Sequence, residues 1–189
     1  MPTGSYRRNL SVGTERQPQA MPREGQRRLD PSAAAYLAGF LDGDGNIHFQ
    51  FVRQGEYRFG FYIRASMSLT QCTTARWGLE KLRELIGAGY IRDRGTGMSD
   101  LVITSRPVLI EVLRAVEPYV LFKKAHVCEA LRLLPLIKPR TTAEEFLQVV
   151  RQADGFSALN HSKSKRITAA DVEQHLLGKG LLAPVTTSS

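Results

Sequence analysis

At 189 residues the chain is long enough for one sizeable core with tails and too short for two large domains. Its 26 Lys and Arg against 18 Asp and Glu leave a formal charge of +8, and with a pI near 9.8 the natural partner is a polyanion. No long apolar span or lipidation signal supports a membrane, and two lone cysteines with four scattered histidines exclude a zinc cluster or disulfide framework, so a metal site would need oxygen ligands.

Residues 1–29 repeat Arg, Pro, Gly and Gln with few large apolar side chains, a composition that cannot bury enough surface to offset ordering. They are expected to form a flexible basic arm. No signal-peptide core is present, and the expected setting is a reducing, intracellular one, bacterial cytoplasm or organelle. Residues 30–178 read as one domain and 179–189 as a tail.

A helix is expected from Asp30, a good N-cap, and Pro31, which suits the first helical position. It runs through YLAGFLDGDG and ends near Gly45. Ala35, Gly39 and Gly43 recur every four residues along one side, leaving a groove almost without side chains that another helix can approach closely. Asp44 falls in the last turn, where the negative end of the macrodipole disfavours a carboxylate; a bound cation removes that conflict. A bare DGDG would read as a helix end with two solvated aspartates. Here the small-residue stripe and the terminal carboxylate share one continuous pattern.

From Asn46 to Thr70 the chain alternates with period two. Ile47, Phe49 and Phe51 alternate with Asn46, His48 and Gln50; after a turn at Gln54-Gly55, the apolar set from Tyr57 to Leu69 alternates with Arg58, Gly60, Tyr62, Arg64, Ser66, Ser68 and Thr70. This is a long hairpin with one apolar face. The other face offers amides, hydroxyls, an imidazole and guanidinium groups, the donor and acceptor set that reads base edges, although a solvated sheet face has the same pattern.

Thr73 or Thr74 is placed to cap a second helix that buries Leu79, Leu82, Leu85 and Ile86, ends at Gly87, and is anchored to the sheet by Trp77. A second hairpin follows, Tyr90 to Arg94 and Asp100 to Thr104 around Gly95-Thr96-Gly97, with Tyr90, Arg92 and Arg94 on one face. Pro107 opens a third helix, with Leu109, Val112, Leu113 and Val116 inward, and Pro118 closes it. Helix, hairpin, helix, hairpin, helix is an α+β plan. Three more helices are expected: Lys124 to Leu134, a capping box of Thr142 and Glu145 running to about Phe156, and one capped by Thr168. His161 to Arg166 is a basic loop, either a solvated linker or a phosphate contact.

YLAGFLDGDG resembles the signature of the LAGLIDADG homing endonucleases. The resemblance continues through Arg76-Trp77, LEKLRELIGAGYIRDRG, Ser99-Asp100 and Ala158 to Lys163, and is to the single-motif, homodimeric, intron-encoded members. It implies an αββαββα core around an antiparallel, saddle-shaped sheet, with extra C-terminal helices. It also implies a homodimer paired through Ala35, Gly39 and Gly43, cutting a pseudo-palindromic double-stranded DNA with Mg2+, for which Mn2+ would substitute, and no small-molecule substrate. Asp44 and the Gly43 carbonyl would hold the metal, Gln71 would orient solvent, and Lys123 would stabilise phosphate charge. The DNA-reading positions implied are Asn46, His48, Gln50, Gln54, Tyr57, Tyr62, Arg64, Ser68, Arg92, Arg94 and Asp100, with Lys163 and Arg166 on phosphates. Arg92 and Arg94 suit guanine. One position departs: the resemblance implies Arg where this chain has Ala75, which keeps a non-cleaving DNA-binding protein as an alternative; a second, an RNA maturase, stays open because the same basic sheet suits an RNA backbone.

Overall fold

The computed structural model describes residues 29–139, 141–160 and 167–183, so most of the expected arm, together with Lys163 and Arg166, lies outside the described residues. Helix α1 (Pro31–Asp44) starts where Asp30 accepts the N–H groups of Ser32 and Ala33. Strands β1 (Gly45–Arg53) and β2 (Phe61–Cys72) follow, then α2 (Arg76–Ile86), β3 (Tyr90–Asp93), β4 (Met98–Ile103) and α3 (Arg106–Val116). This is the expected αββαββα order. The sheet is antiparallel throughout, in the order β1-β2-β4-β3. Three further helices are α4 (Lys124–Leu133), α5 (Ala143–Gly155) and α6 (Ala169–Gly178). The capping box of Thr142 and Glu145 forms, and Thr168 makes a second with Asp171.

The apolar sheet face packs on the helices in two parts. Leu37 and Leu41 of α1, Leu79 of α2 and Leu109 and Leu113 of α3 cover Met67, Leu69 and Leu101 near the inner end of the sheet. The β1–β2 hairpin extends past that cover. Its outer part, Phe51, Phe61 and Ile63, is buried instead under Leu147 and Val150 of α5 and Val172 and Leu176 of α6. The C-terminal helices therefore hold the far half of the polar face in place, because a twisted ribbon with one bare apolar side is not stable in water.

One side of α1 stays open. Ala34, Leu37, Ala38 and Leu41 point inward, whereas Ala35, Tyr36, Gly39 and Gly43 are exposed. At its end Gly45 approaches the preceding turn so closely that a Cβ there would lie 2.7 Å or less from Leu41 Cα, O and Cδ1.

Four local expectations are corrected. The first hairpin has no tight turn at Gln54-Gly55: residues 54–60 form a loop, closed by Gln54 N–H to Gly60 O and Tyr57 N–H to Gln54 O, and β2 begins at Phe61. Thr73 and Thr74 do not cap α2; they lie in a short 3-10 turn before it, and Ala75 precedes Arg76 with no side-chain cap. Trp77 is 69% exposed, because α2 buries Leu79, Leu82 and Ile86 and Trp77 falls about 170° round the helix from that stripe. Leu85 sits at the stripe's edge and is 42% exposed.

Candidate nucleic-acid interface and cleavage site

The register places Asn46 opposite Ser68, His48 opposite Ser66, Gln50 opposite Arg64 and Val52 opposite Tyr62, then Thr70 opposite Asp100 and Arg92 opposite Asp100. All of these side chains leave the face away from the helices, since strand residues two apart share a face. Asn46, Gln50, Gln54 and Tyr57 are exposed, and Tyr62 and Arg64 are partly so. Ser68 stands on the same face but is 7% exposed.

Three groups on this face are organised by neighbours rather than by solvent. Asp100 is fully buried and accepts from Arg92 Nη2 at 2.7 Å, Arg94 Nε at 2.7 Å and Thr70 Oγ1 at 2.8 Å. Burial pushes its carboxyl up, but the bonds from Arg94, Arg92 and Thr70 outweigh that and hold it below the usual value. Asp100 thus differs from its expected role as an outward reading residue: it presents no surface and instead fixes two arginines, whose side chains remain 57% and 46% exposed. His48 has Ser66 Oγ 3.0 Å from its Nε2; burial, then the charges of Arg92 and Arg64, depress its pKa. Arg64 donates to the Tyr62 hydroxyl and lies over its ring.

At the inner edge of this face the expected cleavage residues converge on the end of α1. Gln71 Nε2 donates to Asp44 Oδ2 at 3.4 Å, a long contact between exposed groups. Lys123 Nζ donates to the Asp42 carbonyl at 2.6 Å, one peptide from Gly43. Asp42 binds the other side of this arrangement: its carboxylate accepts the N–H groups of Leu121 at 2.7 Å and Lys123 at 2.8 Å. A cleft of about 390 Å3, lined by Gly45, Asn46, Phe122, Lys123, His126, Leu159 and Asn160, opens beside it. Sequence reasoning missed Asp42, Ser66 and Thr70; for the last two, the polar alternation of β2 was the available signal. Ala75 ends the short 3-10 turn Thr73–Ala75 that follows Gln71, and its own side chain is a methyl.

Among the described residues no group of three or more His, Cys, Asp or Glu could hold a metal ion; at the end of α1 the oxygen donors are the Asp44 carboxylate and main-chain carbonyls. Those are hard oxygen donors, of the kind a magnesium-type ion takes. The described residues also include no helix long and apolar enough to cross a membrane.

A family model described as LAGLIDADG endonuclease matches residues 37–127. The DNA endonuclease I-CreI of Chlamydomonas reinhardtii is 35% identical over 138 residues, 72% of this chain and 84% of that protein. The DNA endonuclease I-CvuI of Chlorella vulgaris is 28% identical over 142 residues, 75% and 88% of the two chains. The fold matches I-CvuI in complex with its target in the presence of 2 mM Ca, with a TM-score of 0.76 over 81% of this chain and 98% of that one at 28% identity. It matches equally I-CvuI on the I-CreI target with 2 mM Mg and uncleaved DNA, at a TM-score of 0.75, 28% identity, and 79% and 96% coverage.

Proposed function

We propose the following function from the premise that this chain belongs to the LAGLIDADG endonuclease family: it is a site-specific DNA endonuclease that makes double-strand breaks in a long pseudo-palindromic target, as a homodimer, by metal-dependent phosphodiester hydrolysis. The observation that carries this reading is the convergence of Asp44, Gln71 and Lys123 on one helix end at the edge of a polar, arginine-bearing sheet face.

Each part has its physical support. The open side of α1, with nothing within 4 Å of a Cβ built on Gly39 or Gly43, has room for the same helix of a second copy. Two-fold pairing there places both Asp44 carboxylates together and gives each half of the target an identical reading surface. Asp44 and the Gly43 carbonyl are the groups that would hold Mg2+, with DNA phosphates and the second copy completing the set; Mn2+ has the same ligand preference. When bound, such an ion neutralises phosphate charge and acidifies its water.

The chain's own residues do the rest. Gln71, bonded to Asp44, orients solvent at the carboxylate. Lys123 sets a positive charge beside the same turn, where charge develops on the phosphate. Asn46, His48, Gln50, Arg64, Arg92 and Arg94 present hydrogen-bonding groups to base edges. Replacing Asp44 by Asn tests the assignment: strand scission stops while specific binding is kept, and retained cleavage overturns it. Ala75 favours a second reading, a non-cleaving DNA-binding protein on the same fold, which predicts specific binding without scission in either magnesium or manganese.

A further inference from the structure

The reading face is mostly polar: apart from Tyr90, which stands opposite Val102 on the second hairpin, its apolar groups gather at the outer end of β1 and β2. There Val52 stands opposite Tyr62, and Tyr57, from the loop joining β1 to β2, stacks on Tyr62 with ring centroids 4.9 Å apart and planes at 24°. Tyr57 is 48% exposed. The Tyr62 phenol oxygen is engaged by the Arg64 guanidinium, so the ring is held in place from one side as well as stacked on the other.

A loop of this length would ordinarily be soft, but this one is tied down from beneath. Phe59 is buried and stacks on Phe146 of α5 with centroids 5.0 Å apart. Arg58 donates to the Thr141 carbonyl at 3.2 Å. Gly60, at φ +70°, lies so near His175 of α6 that a Cβ would meet its Nε2 at 2.5 Å. The result is a preformed ledge of one branched aliphatic side chain and two rings at the end of a strand pair whose other outward side chains are amides, hydroxyls, an imidazole and a guanidinium.

Only one apolar group is presented in the major groove by the base pairs, the pyrimidine 5-methyl. Amide and guanidinium groups select hydrogen-bonding edges and gain nothing from that methyl, whereas an aliphatic and aromatic ledge gains from covering it. Resting on the reading of this sheet as the DNA interface, we propose that Val52, Tyr57 and Tyr62 form a subsite for a 5-methylpyrimidine, thymine or 5-methylcytosine, at the outer end of each half-site. Its position follows from strand geometry. Six residues separate Asn46 from Val52, a span of about 20 Å at about 3.3 Å per residue. At about 3.4 Å per base step that is about six base pairs outward from the base facing Asn46.

The test uses the full chain and a randomised duplex library, with sequencing of the bound and the cut molecules. Thymine is expected to be enriched at the outer position, and deoxyuridine there, which removes only the methyl, weakens binding about fourfold for one half-site. Introducing 5-methylcytosine restores binding relative to cytosine. In Tyr62→Gln and Val52→Asn proteins the thymine–uracil difference disappears. Equal binding of thymine and uracil, or no selection at that position by a protein that still selects the inner bases, overturns the subsite alone. Recovery of no specific duplex overturns both the subsite and the DNA-reading assignment.

Discussion

Asp42 and Lys123 are bonded twice in opposite senses: the Asp42 carboxylate accepts the Lys123 main-chain N–H at 2.8 Å, and the Lys123 ammonium donates to the Asp42 carbonyl at 2.6 Å. The same carboxylate also accepts the Leu121 N–H. The turn that delivers Lys123 is thereby fastened to the helix that delivers Asp44. Asp42→Ala is expected to cost about 1–2 kcal/mol of stability, by leaving two N–H groups without their acceptor, and to lower cleavage more than DNA affinity. Burial pushes the Asp42 carboxyl up, but the N–H groups of Leu121, Lys123 and Phe122 and the Lys123 charge bring it below its ordinary value of 3.8. Its contribution is therefore complete above that value and fades as pH falls through the folded one. Acid unfolding of wild-type and Asp42→Asn proteins should converge at low pH.

Gly39→Leu separates folding from pairing. Nothing lies within 4 Å of a Cβ at this position, and Leu favours a helix over Gly by up to about 1 kcal/mol, so the isolated chain should fold at least as well. A second α1 cannot approach over the new side chain. Sedimentation should show a monomer and cleavage should be lost; an active dimer would move the subunit contact elsewhere.

Asp100→Asn removes the buried charge that holds Arg92 and Arg94. The two guanidinium groups lose their fixed aim and gain uncompensated charge, so affinity for unrelated DNA rises while discrimination falls by about tenfold, within the range a single bidentate base contact supplies. Competition between target and random duplex at fixed salt measures this ratio.

His48 is held neutral at pH 7 by burial and by the positive charges of Arg92 and Arg64. Its imidazole should titrate below the ordinary value of 6.5 by NMR. As pH falls through 6.5 the unfolded chain takes up its proton first, so stability declines until the folded His48 protonates as well. His48→Gln should flatten that part of the profile.

Ala75→Arg supplies a guanidinium one turn from Gln71, at the position where the resemblance read from the sequence implies one. The helix that follows needs no rearrangement, since Ala75 makes no side-chain cap. Single-turnover cleavage should rise at least about tenfold, with affinity changed much less. An unchanged rate would mean that Gln71 and Lys123 suffice.

Much of this molecule is legible in the chain because its determinants are local. The capped start of α1, its small-residue stripe and the period-two alternation of β1 and, from Phe61 onward, of β2 depend only on neighbouring residues, and these appear as expected. Tertiary structure alone decided the partners of charged groups: Asp42 bonds residues 79 and 81 positions away, and Asp100 meets Thr70 across the sheet from 30 positions away. It also decided how far each cover extends. A helical repeat specifies which side is apolar but not whether a neighbour reaches its edge, so Leu85 and Trp77 are exposed while α5 and α6 bury the outer hairpin.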